Sequence, residues 1–291
     1  MEPYLSSTSA ISLNADNLFV CEIPYMSSGM EANSYFFGHP EWGKEYFMTS
    51  HRHDKFRDRW QAATGSWDDK VVVDIGCGPG NIFATVGGSP KVLIGVDISP
   101  GALKMAQEVG YTPLLADAQN LPLKDCCADL VVANATLHHC DDMSKVLSEA
   151  ARLVKPGGLL VTDKDSQAAA LNLNGVGFFL HKIRFILYWL IHSNYYIPLE
   201  LREARMATET HNRNPGDGIT AELYYQILEP LGFEVNLFPH NHDLGAEVLQ
   251  GQFGRMSWKR RLVQRLSGID PDTPEAAQSI MCIARRRSEF N

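Results

Sequence analysis

The 291 residues carry a formal charge of −8, from 26 Lys and Arg against 34 Asp and Glu, with 45% hydrophobic and 21% charged residues. That is ordinary globular composition, and its acidity disfavours a nucleic-acid backbone as the main partner, because phosphate binding needs a basic face. No run of 18 apolar residues occurs, so no transmembrane helix is expected, and the first basic residue is Lys44, so the start lacks the positive region of a signal or transit peptide. Six cysteines, at 21, 77, 126, 127, 140 and 282, form no CxxC pair and no zinc-like spacing, which suits reduced thiols in a cytoplasm.

Residues 1–34 are rich in Ser, Asn and Met without periodicity and read as a tail or loosely docked cap. From Glu41 to Ala63, Trp42, Tyr46, Phe56 and Trp60 recur at helical spacing, predicting an amphipathic helix or helix pair. The charged run His51-Arg52-His53-Asp54-Lys55, with Arg57-Asp58-Arg59, reads as its solvated face. His51 and His53 invite a metal, but side chains two apart on a helix point to nearly opposite faces and cannot chelate together. At Val71 the texture changes. Val71–Ile75, Val92–Asp97, a strand within Thr112–Asp117, Leu130–Asn134 and Gly158–Asp163 are short β-branched or apolar runs, as buried parallel strands are. Helical stretches separate them, notably Gly101–Val109 after Ser99-Pro100 and Met143–Leu153 before Pro156-Gly157-Gly158. Residues 166–215 interrupt the rhythm with an aromatic-rich insertion, which a helix at Ala221–Leu231 and a strand at Phe233–Phe238 follow. A second insertion at about 239–275 precedes a last strand at Ser279–Ala284.

The expected fold is therefore α/β: a doubly wound, mostly parallel, seven-stranded Rossmann-like sheet. Residues 1–69 would form the N-terminal tail and helical cap, 70–165 the ligand-binding core, 166–215 the first insertion, and 216–291 the C-terminal part of the core with the second.

Asp74-Ile75-Gly76-Cys77-Gly78-Pro79-Gly80 follows the first core strand, and glycines there let a ligand touch the backbone. A dehydrogenase fingerprint wants G-x-G-x-x-G, but Asn81 stands at its last position, and a P-loop ending is missing. With no Lys or Arg between Lys70 and Lys91, the turn has no cation for a pyrophosphate, so a nucleoside without phosphates is the better ligand. Asp97 lies 21 residues after Gly76, Asp117 another 20 on, and Asn134 another 17, each at a strand terminus. That spacing builds a ladder of polar groups along the crevice, in which a carboxylate can accept ribose hydroxyls or an exocyclic adenine amine.

Asp74–Gly80, Val96-Asp97-Ile98, Ala116-Asp117-Ala118, the 129–139 segment and Leu153-Val154-Lys155-Pro156-Gly157-Gly158 resemble class I S-adenosylmethionine-dependent methyltransferases of the type 11 small-molecule subgroup. The resemblance is specific over about residues 70–165. It implies S-adenosylmethionine as cofactor, S-adenosylhomocysteine as product, and no metal. It would place Gly76, Gly78 and Gly80 under the methionine and ribose, Asp97 on the ribose hydroxyls and Ile98 against adenine. Asp117 would accept the adenine amine with the Ala118 backbone nearby, the backbone near Asn134 would face the methionine ammonium, and Asp74 would help orient that end.

Methyl transfer is an in-line displacement that needs alignment, exclusion of water and, for some acceptors, a base. His138 and His139, just past the fourth core strand, are the leading base candidates, with His240 and His242 a second source set against a surface-loop reading. Acceptor selection is expected from Tyr35, Phe36, Phe37, Trp42, Tyr46 and Phe47 in the cap, and from the insertion's Phe178, Phe179, Phe185, Tyr188, Trp189, Tyr195 and Tyr196. Their density points to a hydrophobic or aromatic small molecule rather than a nucleic acid. A non-catalytic cofactor-binding subunit is the alternative. A membrane-peripheral module is another, since Arg255, Lys259, Arg260, Arg261 and Arg265 interleave with Met256, Trp258, Leu262, Val263 and Leu266. A solvated helix face is the plainer reading of that stretch.

Overall fold

The computed structural model describes residues 1–6, 10–191 and 199–288. The chain opens with two short strands, β1 (Ile11–Leu13) and β2 (Phe19–Cys21), then three cap helices, α1 (Ser28–Gly38), α2 (Pro40–Ser50) and α3 (Asp54–Thr64). The α/β core follows as β3 (Val71–Ile75), α4 (Asn81–Val86), β4 (Val92–Asp97), α5 (Pro100–Val109), β5 (Thr112–Leu115), β6 (Ala128–Asn134), α6 (Met143–Leu153) and β7 (Val154–Ser166). The remainder is α7 (Ala168–Leu171), α8 (Gly175–Ile191), α9 (Leu199–Thr208), α10 (Ala221–Leu228), β8 (Phe233–His240), α11 (Trp258–Leu266) and β9 (Ser279–Arg286). All strands join one sheet in the order β1-β2-β5-β4-β3-β6-β7-β9-β8. β2 through β7 run parallel, while β1 and β9 are antiparallel to their neighbours.

The expected α/β architecture holds, with nine strands among the described residues rather than seven. The extra two lie where a tail was expected: β2 pairs with β5 through Phe19↔Leu114 and Val20↔Leu115, and β1 folds back on β2. Three-residue strands are too short for alternation to register in the sequence, yet they bury Leu18 completely. The core strands appear where expected because each is buried on both faces; all five residues of β3 are buried. Helix starts are set by side chains. Ser99 accepts from the Ala102 amide with Pro100 in the first turn, and Asp142 accepts from Lys145.

The charged stretch at 51–59 does not form one solvated face. The helix breaks there: His53 ends up capping α3, with Nδ1 accepting from the Phe56 amide at 3.1 Å. His51 and Arg59 are buried, at 1% and 0% exposure. Arg59 reaches β7, where its Nε donates to Asp163 Oδ2 at 3.1 Å and its Nη1 to the Leu244 carbonyl at 2.8 Å. Asp163 Oδ1 lies 2.7 Å from His240 Nε2. Since His240 Nδ1 accepts from the His242 amide at 3.2 Å, Nε2 carries the proton and donates. Burial alone would raise the Asp163 pKa, but Arg59 and His240 together hold it well below the usual carboxylate range. His240 and His242 are thus not surface-loop histidines. His240 is fully buried and His242 Nε2 lies 2.6 Å from Ser279 Oγ, in a network that ties the cap to the sheet.

Candidate active site

The glycine turn between β3 and α4 is shaped by two close approaches. Gly76 has φ +66°, and a Cβ there would meet Thr136 Cγ2 at 2.4 Å, so only glycine lets the turn pack on the loop after β6. Gly80 has φ +88° and caps α4, where a Cβ would meet the Tyr111 ring at 3.0 Å. Gly76, Cys77, Gly78 and Pro79 line a cleft at the carboxyl ends of the strands; among the cofactor positions expected from sequence, Gly80 and Asp74 are not on its wall. Asp74 is fully buried beneath the turn, its Oδ2 accepting from the Tyr111 hydroxyl at 2.7 Å. Burial, offset by that bond and reinforced by Asp97, raises its pKa to about 7.

The rungs of the ladder face the cleft. Asp97 is held by two backbone donors, with Oδ2 accepting from the Gly78 amide at 2.8 Å and Oδ1 from Ser99 at 2.8 Å. Burial raises its pKa against those bonds. Ile98, Asp117 and Ala118 continue the same wall, and Asp117 Oδ1 accepts from the Gln119 amide at 2.9 Å. Asn134 closes it at the end of β6, where Ala135 takes the left-handed conformation at φ 52°.

His51, read from sequence as solvent-facing, lines this cleft. Its Nε2 is 2.9 Å from Asn134 Nδ2 and its Nδ1 3.2 Å from Asn81 Nδ2. A neutral imidazole carries one N–H, so one of the two amides must turn its oxygen to the ring; Asn134 Oδ1 is otherwise buried without a partner. Burial first, then the charge of Lys164, lowers the His51 pKa well below its usual value, so the ring is neutral.

The two base candidates part company. His139 borders the cleft, whereas His138 is buried behind it. His138 Nδ1 lies 2.7 Å from Asp165 Oδ1 and its Nε2 3.7 Å from Glu209 Oε2. Burial opposes its charge, but Asp165 and then Glu209 outweigh burial and raise its pKa. His139 is driven the other way by burial and by His138, with its Nδ1 2.8 Å from the Thr208 carbonyl. A neutral Nδ1–H donating to that carbonyl leaves Nε2 as the proton acceptor. His138, His139 and Glu209 also bring one ligand atom each within 4.8 Å of one another, so among the described residues this trio is the set able to hold a metal ion.

The cap supplies the apolar wall through Met30, Phe37 and Tyr46, with Asn33 among them. Burial, reinforced by Glu209, pushes the Tyr46 pKa up to about 12. The other cap aromatics serve elsewhere. Phe36 is buried against Phe37 and Trp42, Trp42 stacks on His39, and Tyr35 is exposed with its hydroxyl 3.1 Å from Glu200. None of the described residues of 166–215 lines the cleft. α9 instead packs on α1, and the Thr208 carbonyl takes Asn33 Nδ2 at 3.2 Å, bracing the cap from behind. The side chains of Phe47, Phe185, Tyr188 and Trp189, and residues Tyr195 and Tyr196 altogether, lie outside the described residues.

A family model described as a methyltransferase domain matches residues 73–162, the stretch that carries the glycine turn and the polar ladder. Residues 73–162 are therefore similar to a methyltransferase domain. Relatives agree over the same segment. The malonyl-[acyl-carrier protein] O-methyltransferase of Yersinia pestis is 34% identical over 93 residues, covering 31% of this chain and 35% of that one. The ubiquinone biosynthesis O-methyltransferase of Thiobacillus denitrificans is 32% identical over 119 residues, covering 38% of this chain and 51% of the relative. The match thus spans between about a third and half of the relatives' own lengths. Over the rest of the chain the likeness is one of fold: the [4+2]-cyclase SpnF superposes with a TM-score of 0.54 at 16% identity, over 92% of this chain and 99% of that one.

Proposed function

We propose that this chain transfers the methyl group of S-adenosylmethionine to a hydrophobic or aromatic small molecule, such as a quinone, a lipid or an aromatic natural product. The observation that carries this reading is one cleft with two unlike walls. One is the ladder of Asp97, Asp117 and Asn134 above the glycine turn, and the other is the apolar cap face of Met30, Phe37 and Tyr46. The cofactor fits the residues present: Asp97 and Asp117 bring carboxylate acceptors to the wall, and the space where a Cβ on Gly78 would stand is open. The relative named for ubiquinone biosynthesis supports the same acceptor class.

When bound, S-adenosylmethionine supplies a methyl group already activated by a sulfonium. In this reading Asp97, fixed by Gly78 and Ser99, accepts the ribose hydroxyls, Asp117 accepts the adenine amine, and Ile98 covers the ring. The cap excludes water and aligns the acceptor. His139, neutral and on the cleft wall, takes a proton where the acceptor must lose one; His138, clamped by Asp165, positions it. No metal enters the scheme. Six free thiols favour a reducing compartment, and we place the protein in the cytoplasm.

Labelled S-adenosylmethionine offered with fractionated metabolite extracts tests the reading, the labelled product naming the acceptor. Asp97→Ala should weaken cofactor binding by about 1–3 kcal/mol, as lost hydrogen bonds to a charged group do. A wild-type protein that binds no cofactor in calorimetric titration rejects the proposal. Binding without turnover in any fraction favours a non-catalytic subunit.

A further inference from the structure

Helix α11 is amphipathic the wrong way round. An amphipathic helix on a globular protein normally turns its apolar stripe to the core. Here the buried side is polar: Gln264 is 3% exposed and donates through Nε2 to the Ala276 carbonyl at 2.9 Å, and Ser267 donates to the Asn174 carbonyl at 3.2 Å. The exposed side carries Trp258, Leu262 and Leu266, four residues apart on one stripe, with Trp258 70% exposed. Lys259 flanks that stripe, its Nζ 5.9 Å from the Trp258 ring centroid, while Arg265 on the other side pairs with Asp272 at 2.9 Å.

The neighbouring helix extends the surface. α8 crosses α11 so closely that a Cβ on Gly177 would meet Ser267 Oγ at 2.1 Å and the Val263 carbonyl at 2.3 Å. From that crossing, α8 turns Val176 and Phe179, each 61% exposed, and Leu180 to solvent. Lys182 stands one turn on, its Nζ 4.7 Å from the Phe178 ring centroid. Both helices thus present exposed apolar side chains with Lys182 and Lys259 beside them, on a chain whose net charge is −8.

We propose that the outward faces of α8 and α11 dock on an anionic membrane surface. Exposed apolar side chains with lysines beside them are the pattern that inserts into the acyl boundary while the ammonium groups meet lipid phosphates. A second copy of this chain fits these faces poorly, because the Lys182 and Lys259 ammonium groups of the two copies would meet. No helix among the described residues is long and apolar enough to cross a membrane, so the attachment is peripheral. The docking is independent of what the cleft binds.

The test is co-sedimentation of the full chain with vesicles of phosphatidylcholine plus phosphatidylglycerol and of phosphatidylcholine alone, at low and physiological salt. The wild type should partition onto the anionic vesicles, more strongly at low salt. Lys259→Gln and Lys182→Gln should each lower partition about fivefold, the equivalent of about 1 kcal/mol per cation near anionic lipid. Trp258→Ser combined with Leu262→Ser should abolish it while leaving cofactor titration unchanged, since neither residue touches the cleft. No sedimentation of the wild type at either salt overturns the proposal. So does partition that these variants leave unaltered, or a self-association lost in the apolar variant without any vesicle binding.

Discussion

Replacing Arg59 with methionine removes one partner of a fully buried ion pair and keeps most of the side chain's apolar volume. In the wild type both partners are 0% exposed, and Arg59 Nε and Nη2 each lie 3.1 Å from Asp163 Oδ2. Breaking such a pair from one side costs about 3–5 kcal/mol, because the remaining charge stays buried without its counter-charge. Asp163 would still accept from His240 at 2.7 Å and from the Lys164 amide at 2.7 Å, which puts the expected loss near the lower end, about 3 kcal/mol. The pH dependence has a definite sign. The folded-state pKa of Asp163 lies below its unfolded value, so its contribution is fully present above the unfolded pKa and is lost as pH falls through the folded one. The gap between wild type and Arg59→Met should therefore be widest near neutrality and shrink below about pH 4, where the unfolded carboxyl takes up its proton. Adding Asp163→Asn should recover much of the loss by removing the stranded charge. Urea unfolding followed by circular dichroism at several pH values measures all three. A neutral-pH loss under about 1 kcal/mol, or a gap that does not narrow in acid, would show that the pair is not what holds α3 to β7.

Asp74 behaves oppositely, since its pKa is raised from 3.8 to about 7, so the folded state keeps a proton that the unfolded state releases. Its contribution is greatest below the unfolded pKa and falls as pH rises through about 7; Asp74→Asn should flatten that decline by up to about 4 kcal/mol, read from unfolding curves between acid and mildly alkaline pH. His51→Leu removes the ring between Asn81 and Asn134 and should weaken cofactor binding by about 1 kcal/mol in calorimetric titration, with unchanged affinity arguing that Asn134 is oriented without it. Methyl transfer should persist in EDTA; an activity lost to the chelator and restored by a divalent cation would assign a metal to His138, His139 and Glu209.

The parallel strands could be read from the chain because each is a run of apolar residues buried on both faces, and the rungs Asp97, Asp117 and Asn134 could be read because they end those runs. What lay hidden was long-range pairing. Nothing local distinguishes Arg59, which is buried on Asp163, from Arg57, which pairs with its helix neighbour Asp54 at 3.0 Å. His51 looks like part of a charged helix face until its partner Asn134, 83 residues away, is in view. His138 and His139 are equivalent in sequence, and only the fold separates the one clamped on Asp165 from the one on the cleft. The outward stripe of α11 was visible as a pattern of cations and apolar residues, but not which side faced the core. That choice depended on the carbonyls of Ala276 and Asn174, which draw Gln264 and Ser267 inward.

The two N-terminal strands also protect the molecule from itself. Without them β5 would be the outer strand, presenting a row of unpaired amides and carbonyls to any similar edge. β2 covers that row and β1 terminates the sheet with three residues, a template too short to recruit another chain readily. Trimming residues 1–22, or fusing a bulky tag that displaces β1, should therefore appear as self-association and poor solubility.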